Sequence, residues 1–192
     1  MSKVGDNATP LDELSDEALV SLAVRETSDG PAFVALVRRH RDRVWRVCYR
    51  LLGNEHDAHD AAPEVFVRLF THLHKFEGRS KFSTWLHGMA LRTCLGLRRS
   101  RSRRQRRETT ATVDAAAQVA AAQGPATKLS PEVEELLESL DEEDRAMVIL
   151  KYAEEYTFEE LAEMFDLSTS ACKMRVSRAR QRLVAQHGND ES

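Results

Sequence analysis

The sequence is poor in cysteine and places none for cross-linking. Cys48, Cys94 and Cys172 are odd in number and far apart, with no CxxC pair. Neither a disulfide framework nor a thiolate zinc site is expected. No apolar run approaches the roughly 20 residues that cross a bilayer, which excludes membrane insertion. The opening stretch MSKVGDNATPLDELSDE lacks the apolar core of a signal peptide, so a cytoplasmic location is expected. Nowhere do apolar and polar residues alternate with period two, so no sheet is expected. There is no Gly-rich phosphate loop and no nucleophile–base motif. An enzyme is therefore not expected, nor a cofactor. His56/His59 and His72/His74 supply no fixed tetrahedral set, and no metal is expected.

Charge is present in blocks. The net charge of −3 is made up of −5 in residues 1–31, +12 in 32–107, −2 in 108–127, −11 in 128–167, +5 in 168–187 and −2 in 188–192. Two basic blocks separated by an acidic one suggest two surfaces for a polyanion, with other faces kept off it.

The periodicity is helical. Phe33, Val37, Val44, Val47, Cys48 and Leu51 recur at helical spacing, with Pro31 suited to the first turn and Gly53-Asn54 to the exit. Val65, Phe66, Leu69, Phe70 and Leu73 mark a second helix, broken at Gly78. A third begins near Ser83 and runs into RRSRSRRQRR. The stretch 108–129 is small, polar and rich in Ala, Thr and Gln, and reads as a flexible linker. Fully extended it would reach at most about 75 Å. Beyond it four short helices are expected: one after Ser130-Pro131, one from Asp141, one opening with the capping box Thr157/Glu160, and one over about Thr169–Ala185 capped by Ser168. The fold class is thus all-α, with two small helical domains. The segments are 1–31, acidic; 32–107, the first domain; 108–129, the linker; and 130–187, the second domain. The acidic segment either packs as a short helix over Ser15–Arg25 or stays a solvated tail, the reading its composition favours.

Only about three residues, DLS, join the last two helices, which makes them a helix-turn-helix candidate. On the final helix Cys172, Val176, Ala179 and Leu183 form a core stripe. Ser170, Lys173, Met174, Ser177 and Gln181 lie opposite, flanked by Arg175, Arg178, Arg180 and Arg182. Such a helix enters a major groove, reading base edges and clamping phosphates. In the first domain Phe76, Phe82 and Trp85 interleave with Lys75, Arg79 and Lys81 around Gly78. Aromatics beside cations suit single-stranded nucleic acid. The competing reading is that Phe82 and Trp85 pack the core.

Four motifs, RLLGNEHDAHDAAPEVFVRLF, KFEGRSKFSTWL, LDEEDRAMVILKYAEEYTFEELAEMF and SACKMRVSRARQRL, occur in an order and spacing that resemble the extracytoplasmic-function sigma factors. The resemblance covers about Phe33–Arg107 (region 2 of that family) and Leu129–Leu183 (region 4). It implies a factor that binds core RNA polymerase and directs it to promoters. Region 4 would read the duplex −35 element through Thr169, Ser170, Lys173, Met174, Arg175, Ser177 and Arg178. Region 2 would open the −10 element and hold its single strand through Lys75, Phe76, Arg79, Ser80, Lys81, Phe82, Trp85, Arg92 and Arg99. Core polymerase would dock on Arg50, Asp57, Asp60, Glu64 and Phe66. An anti-sigma factor is the further partner implied.

Three positions depart from the family pattern. Ala61-Ala62-Pro63 replace bulky and polar residues, Leu91-Arg92 stand where Arg-Asn is usual, and Met174 replaces a small polar residue on the reading face. The rival readings are a stand-alone helix-turn-helix regulator, and an RNA-binding protein that uses RRSRSRRQRR.

Overall fold

The computed structural model describes residues 10–26, 30–108 and 129–190, and among them finds helices and turns but no strand. Eight α-helices follow in order: α1 Asp16–Arg25, α2 Pro31–Leu52, α3 Glu55–His72, α4 Phe82–Glu108, α5 Pro131–Glu138, α6 Glu142–Tyr152, α7 Phe158–Phe165 and α8 Thr169–Asp190. The linker at 108–129 falls outside the described residues except for its two ends.

Local chemistry accounts for most boundaries. Gly53 ends α2 in the left-handed region at φ 79°, and its N–H donates to the Tyr49 carbonyl. Asn54 then caps α3, its Oδ1 accepting from the Asp57 N–H at 2.8 Å. Ser130 and Asp141 cap α5 and α6, and Thr157 and Glu160 close a reciprocal capping box on α7. Pro63 neither starts nor breaks α3: the helix begins eight residues earlier and runs through it.

Helices α2, α3 and α4 pack around Leu36, Val44, Val47, Cys48, Val65, Leu69, Phe82, Leu86 and Cys94. The N-terminal segment differs from a solvated tail. Leu19, Val20 and Ala23 bury one face of α1 against α2. Asp16 holds Arg39 at 2.7 Å and His40 at 2.9 Å, and Asp12 pairs with Arg38. Asp12 and Asp16 thus find their counter-charges on α2, which offsets part of the repulsion that would keep a chain of one sign in water.

The second domain packs α5–α8 around Leu137, Met147, Leu150, Leu161, Met164, Cys172, Val176 and Ala179. Each domain is built as the sequence suggests, but they are not held apart. Helix α7 lies across α4, and α6 meets both α2 and α4. Complementary charge and apolar packing both join them. Glu142 and Glu143 of α6 pair with Arg98 and Arg99 of α4, and Glu154 just past α6 meets Arg43, Arg46 and Arg50 of α2. Ala146 and Ile149 lie beside Leu51, Cys94 and Leu95.

Candidate nucleic-acid interface

The final helix pair is set by its turn. Asp166 adopts φ 54° at the end of α7, and the Leu167 N–H reaches back to the Ala162 carbonyl at 2.9 Å. Ser168 caps α8 by accepting from the Ala171 N–H at 3.1 Å. Cys172, Val176 and Ala179 are buried against α6 and α7. This leaves Ser170, Lys173, Met174, Ser177, Arg178 and Gln181 exposed on the opposite side, with Thr169 half-buried at the start. Met174, 54% exposed, is an apolar tip on a cationic face, suited to an apolar base edge such as a thymine methyl.

Arg175 is differently placed. Its Nε donates to Asp144 Oδ1 at 2.8 Å and its Nη1 to Glu143 Oε2 at 3.1 Å, with Asp141 at 3.7 Å. These acids open α6, so the guanidinium ties α8 to α6. Burial works to lower the Arg175 pKa, but the hydrogen bonds and charges of Asp144 and Glu143 together outweigh it and hold the group above its ordinary value.

Between the first domain and α7 lies a cleft of about 390 Å³. Lys75, Phe76, Arg79, Ser80, Trp85 and Arg92 all line it. Gly78, at φ 70°, turns the loop where a side chain would be strained. Phe76 is half-buried, its ring centroid 5.3 Å from Trp85 and 5.6 Å from Phe82. Phe82 has 0% exposure and packs edge-on against His40. It supports the aromatic cluster from below and does not present a face for stacking. Lys81 faces Glu160 at 3.9 Å, and Arg99 pairs with Glu143 at 2.7 Å. The far wall of the cleft belongs to α7, through Glu163, Met164 and Asp166.

The proposed docking residues are scattered. Asp57 is buried, where it pairs with Arg101 of α4 and accepts from Asn54 Nδ2 at 2.5 Å. Asp60 is exposed with His56 at 3.4 Å, and Glu64 holds Arg68 at 2.6 Å. Phe66 is half-buried against the core. Arg50 turns toward Glu154.

Sequence reasoning missed Arg43, Arg46, His87, Glu154 and Tyr156. The spacing of Arg43, Arg46 and Arg50, three then four, was the available signal: it puts three cations on one face of α2. Among the described residues no group of three or more His, Cys, Asp or Glu side chains is placed to hold a metal ion. No described helix is long and apolar enough to cross a membrane.

An all-helical, two-module chain with a basic reading helix and a cationic aromatic cleft defines a class of nucleic-acid-binding transcription proteins. The family models agree module by module: sigma-70 region 2 matches residues 36–104 and sigma-70 region 4 matches residues 130–183. The chain is 30% identical to the ECF RNA polymerase sigma factor SigE of Mycolicibacterium smegmatis over 93% of its own length and 72% of the relative's. It is 28% identical to SigW of Bacillus subtilis over 88% of its length and 97% of the relative's. Among solved structures, CnrH in complex with the cytosolic domain of CnrY superposes with TM-score 0.64 at 25% identity, covering 91% of this chain and 98% of that one. RpoE of Bartonella quintana, in complex with the anti-sigma factor NepR, gives 0.61 at 21%, covering 79% and 93%. This chain belongs to the extracytoplasmic-function sigma factors, which direct RNA polymerase in promoter-specific transcription initiation.

Proposed function

We propose that the chain joins core RNA polymerase in the cytoplasm and directs it to a promoter through two separate contacts. In this reading α8 lies in the major groove of the −35 element. Lys173, Met174, Ser177 and Arg178 face base edges or phosphates there, and Arg175 holds the helix in place through α6. The region 2 cleft takes the unpaired −10 strand. Lys75, Arg79 and Arg92 neutralise its backbone, and Phe76 and Trp85 offer rings at about 1–3 kcal/mol per stacked base. The chain contributes recognition and strand capture, and the polymerase performs the chemistry. Asp60, Glu64 and Phe66 on α3 are the docking candidates left accessible, while Asp57 acts from beneath. The complex of CnrH with CnrY supports a protein partner of that kind for the free chain, which we read as an anti-sigma factor.

The observation that carries this reading is that the exposed cationic face of α8 falls in the region 4 match, while the cleft's aromatic and cationic side chains, Lys75, Phe76, Arg79, Trp85 and Arg92, fall in the region 2 match. A stand-alone helix-turn-helix regulator would not account for the first module. Gel filtration with core polymerase tests the assignment, with comigration as the expected result; a chain that elutes alone would sink it. Selecting bound duplexes from a random pool with reconstituted holoenzyme should then return a two-part motif.

A further inference from the structure

Glu154 follows α6 in the second module, yet its ion-pair partners belong to the first. Its carboxylate, 2% exposed, meets Arg43 Nη1 at 3.0 Å, Arg46 Nε at 3.3 Å and Arg50 Nε at 3.3 Å. Arg43 Nη2 also donates to the Glu154 carbonyl at 3.0 Å. The Arg50 Nε makes no well-aligned hydrogen bond, so its contribution is chiefly that of a nearby charge. Three cations on one face of α2 repel one another until an acid enters between them, and the acid present comes from region 4. A buried carboxylate left without these partners would be costly.

Further contacts follow from this one. Two residues on, the Tyr156 hydroxyl reaches His87 of α4. Helix α7 lies so close to α4 that a Cβ at Gly88 would sit 3.6 Å from the Met164 Cα. Arg98 and Arg99 pair with Glu142 and Glu143. Helix α7 thereby walls the cleft that region 2 offers to a DNA strand, and it brings Glu163 and Asp166, whose charge opposes phosphate. The two promoter elements lie on separate stretches of duplex, so a chain that holds both must have its modules apart.

We infer that Glu154 is a latch. Seated among Arg43, Arg46 and Arg50, it keeps the free chain closed, and polymerase binding separates the modules and frees the cleft. The occlusion of a −10 strand rests on the function proposed above; the latch itself does not. If the closed form predominates, the apparent affinity for a single strand falls by the open fraction. A tenfold or greater gain on unlatching is therefore expected.

The test uses the full-length chain, spin-labelled at cysteines introduced at exposed Thr71 of α3 and Glu159 of α7, the native cysteines being buried. Pulsed dipolar spectroscopy should give one short distance for the free chain and longer ones on adding core polymerase. Glu154→Arg should lengthen the distance without polymerase, and Glu154→Gln should do so partially. The charge swap Glu154→Arg with Arg46→Glu, which restores the net charge, should return it to the short value. Binding of a random single-stranded DNA pool at fixed salt should rise at least tenfold for Glu154→Arg and fall back in the swap. Long distances in the free wild-type chain, or a short distance retained by a helical, folded Glu154→Arg, would overturn the latch. Separation without gain in strand affinity supports the latch and counts against the cleft as the strand site.

Discussion

Tyr156 Oη lies 2.7 Å from His87 Nδ1, a hydrogen bond between residues 69 positions apart and between the two sigma modules. Burial pushes the Tyr156 phenol up to about 12, so it keeps its proton and donates. The neutral imidazole then carries its own hydrogen on Nε2, which has no partner among the described residues. Arg43 lies over the tyrosine ring at 5.3 Å and completes the arrangement. A polar pair of this kind is specific to the docked geometry, because separating the modules returns both groups to water.

The pair makes the docked state sensitive to acid. Burial first, and then the positive fields of Arg43, His40 and Arg46, lower His87 from 6.5 to about 3. An opened or unfolded chain takes up a proton near pH 6.5, whereas the docked chain does so only near 3. The stability this group contributes is complete above pH 6.5. It falls as pH drops toward 3, by up to about 1.4 kcal/mol per pH unit. Denaturant titrations between pH 7 and 4 should show that slope in the wild type and a flatter one in His87→Asn. Tyr156→Phe at pH 7 should cost about 1–3 kcal/mol, since it leaves a second ring nitrogen unpartnered.

Asp57 and Asp60 lie three residues apart on α3 but in opposite surroundings. The Asp57 carboxylate is 7% exposed and ties the start of α3 to Arg101, whereas that of Asp60 is 70% exposed. Asp57→Ala should lower stability by about 1–2 kcal/mol, because Arg101 and the Asn54 Nδ2 both lose the carboxylate they bond. Asp60→Ala should stay within about 0.5 kcal/mol yet weaken the comigrating complex with core polymerase. Thermal melts set beside polymerase titrations separate the two effects. Equal loss of polymerase affinity in both variants, with no change in melting, would show that Asp57 also faces the partner.

What could be read from the chain tracks the range of the physics. The caps Ser130, Asp141, Thr157 and Ser168 satisfy backbone groups within three residues, so their signal is local. The stripe Cys172, Val176, Ala179 on α8 is legible for the same reason: one helix fixes its own period. The packing of α1 was legible in part, since Leu19, Leu22 and Ala23 keep helical spacing, but the acidic charge around them pointed toward solvent. The docking of the modules was not legible. It joins Glu154 to arginines more than 100 positions earlier, and single residue types at that separation carry no periodicity. Phe82 shows a different limit. Aromatics near cations suit either stacking or packing, and only burial decides between them.

On α8 the exposed and the anchored cations should separate experimentally. Lys173→Ala and Arg178→Ala leave the fold intact, because both side chains are exposed. Whichever reads a base should cost about 1–3 kcal/mol at one position of the −35 element, and a phosphate contact should instead reduce the salt slope by about one. Arg175→Ala should lower the melting temperature and weaken binding to every duplex by a similar factor, because it frees α8 from Asp144 and Glu143. Binding to a panel of single-base duplex variants at three salt concentrations reads all three outcomes.

The aromatic pair under the region 2 loop divides in the same way. Phe82 has no exposed surface and touches Phe76, Trp85 and His40. Phe82→Ala therefore leaves a cavity and should cost about 3–5 kcal/mol of stability. Phe76 is half-buried, with part of its ring on the cleft. Phe76→Ala should cost less stability, yet reduce promoter opening more than closed-complex binding, because a strand loses its stacking surface only once it is unpaired. Permanganate reactivity of unpaired thymines measures opening, and gel shifts at low temperature measure the closed complex. Normal permanganate reactivity in a well-folded Phe76→Ala holoenzyme would move the strand contact elsewhere, with Trp85 the ring left to carry it.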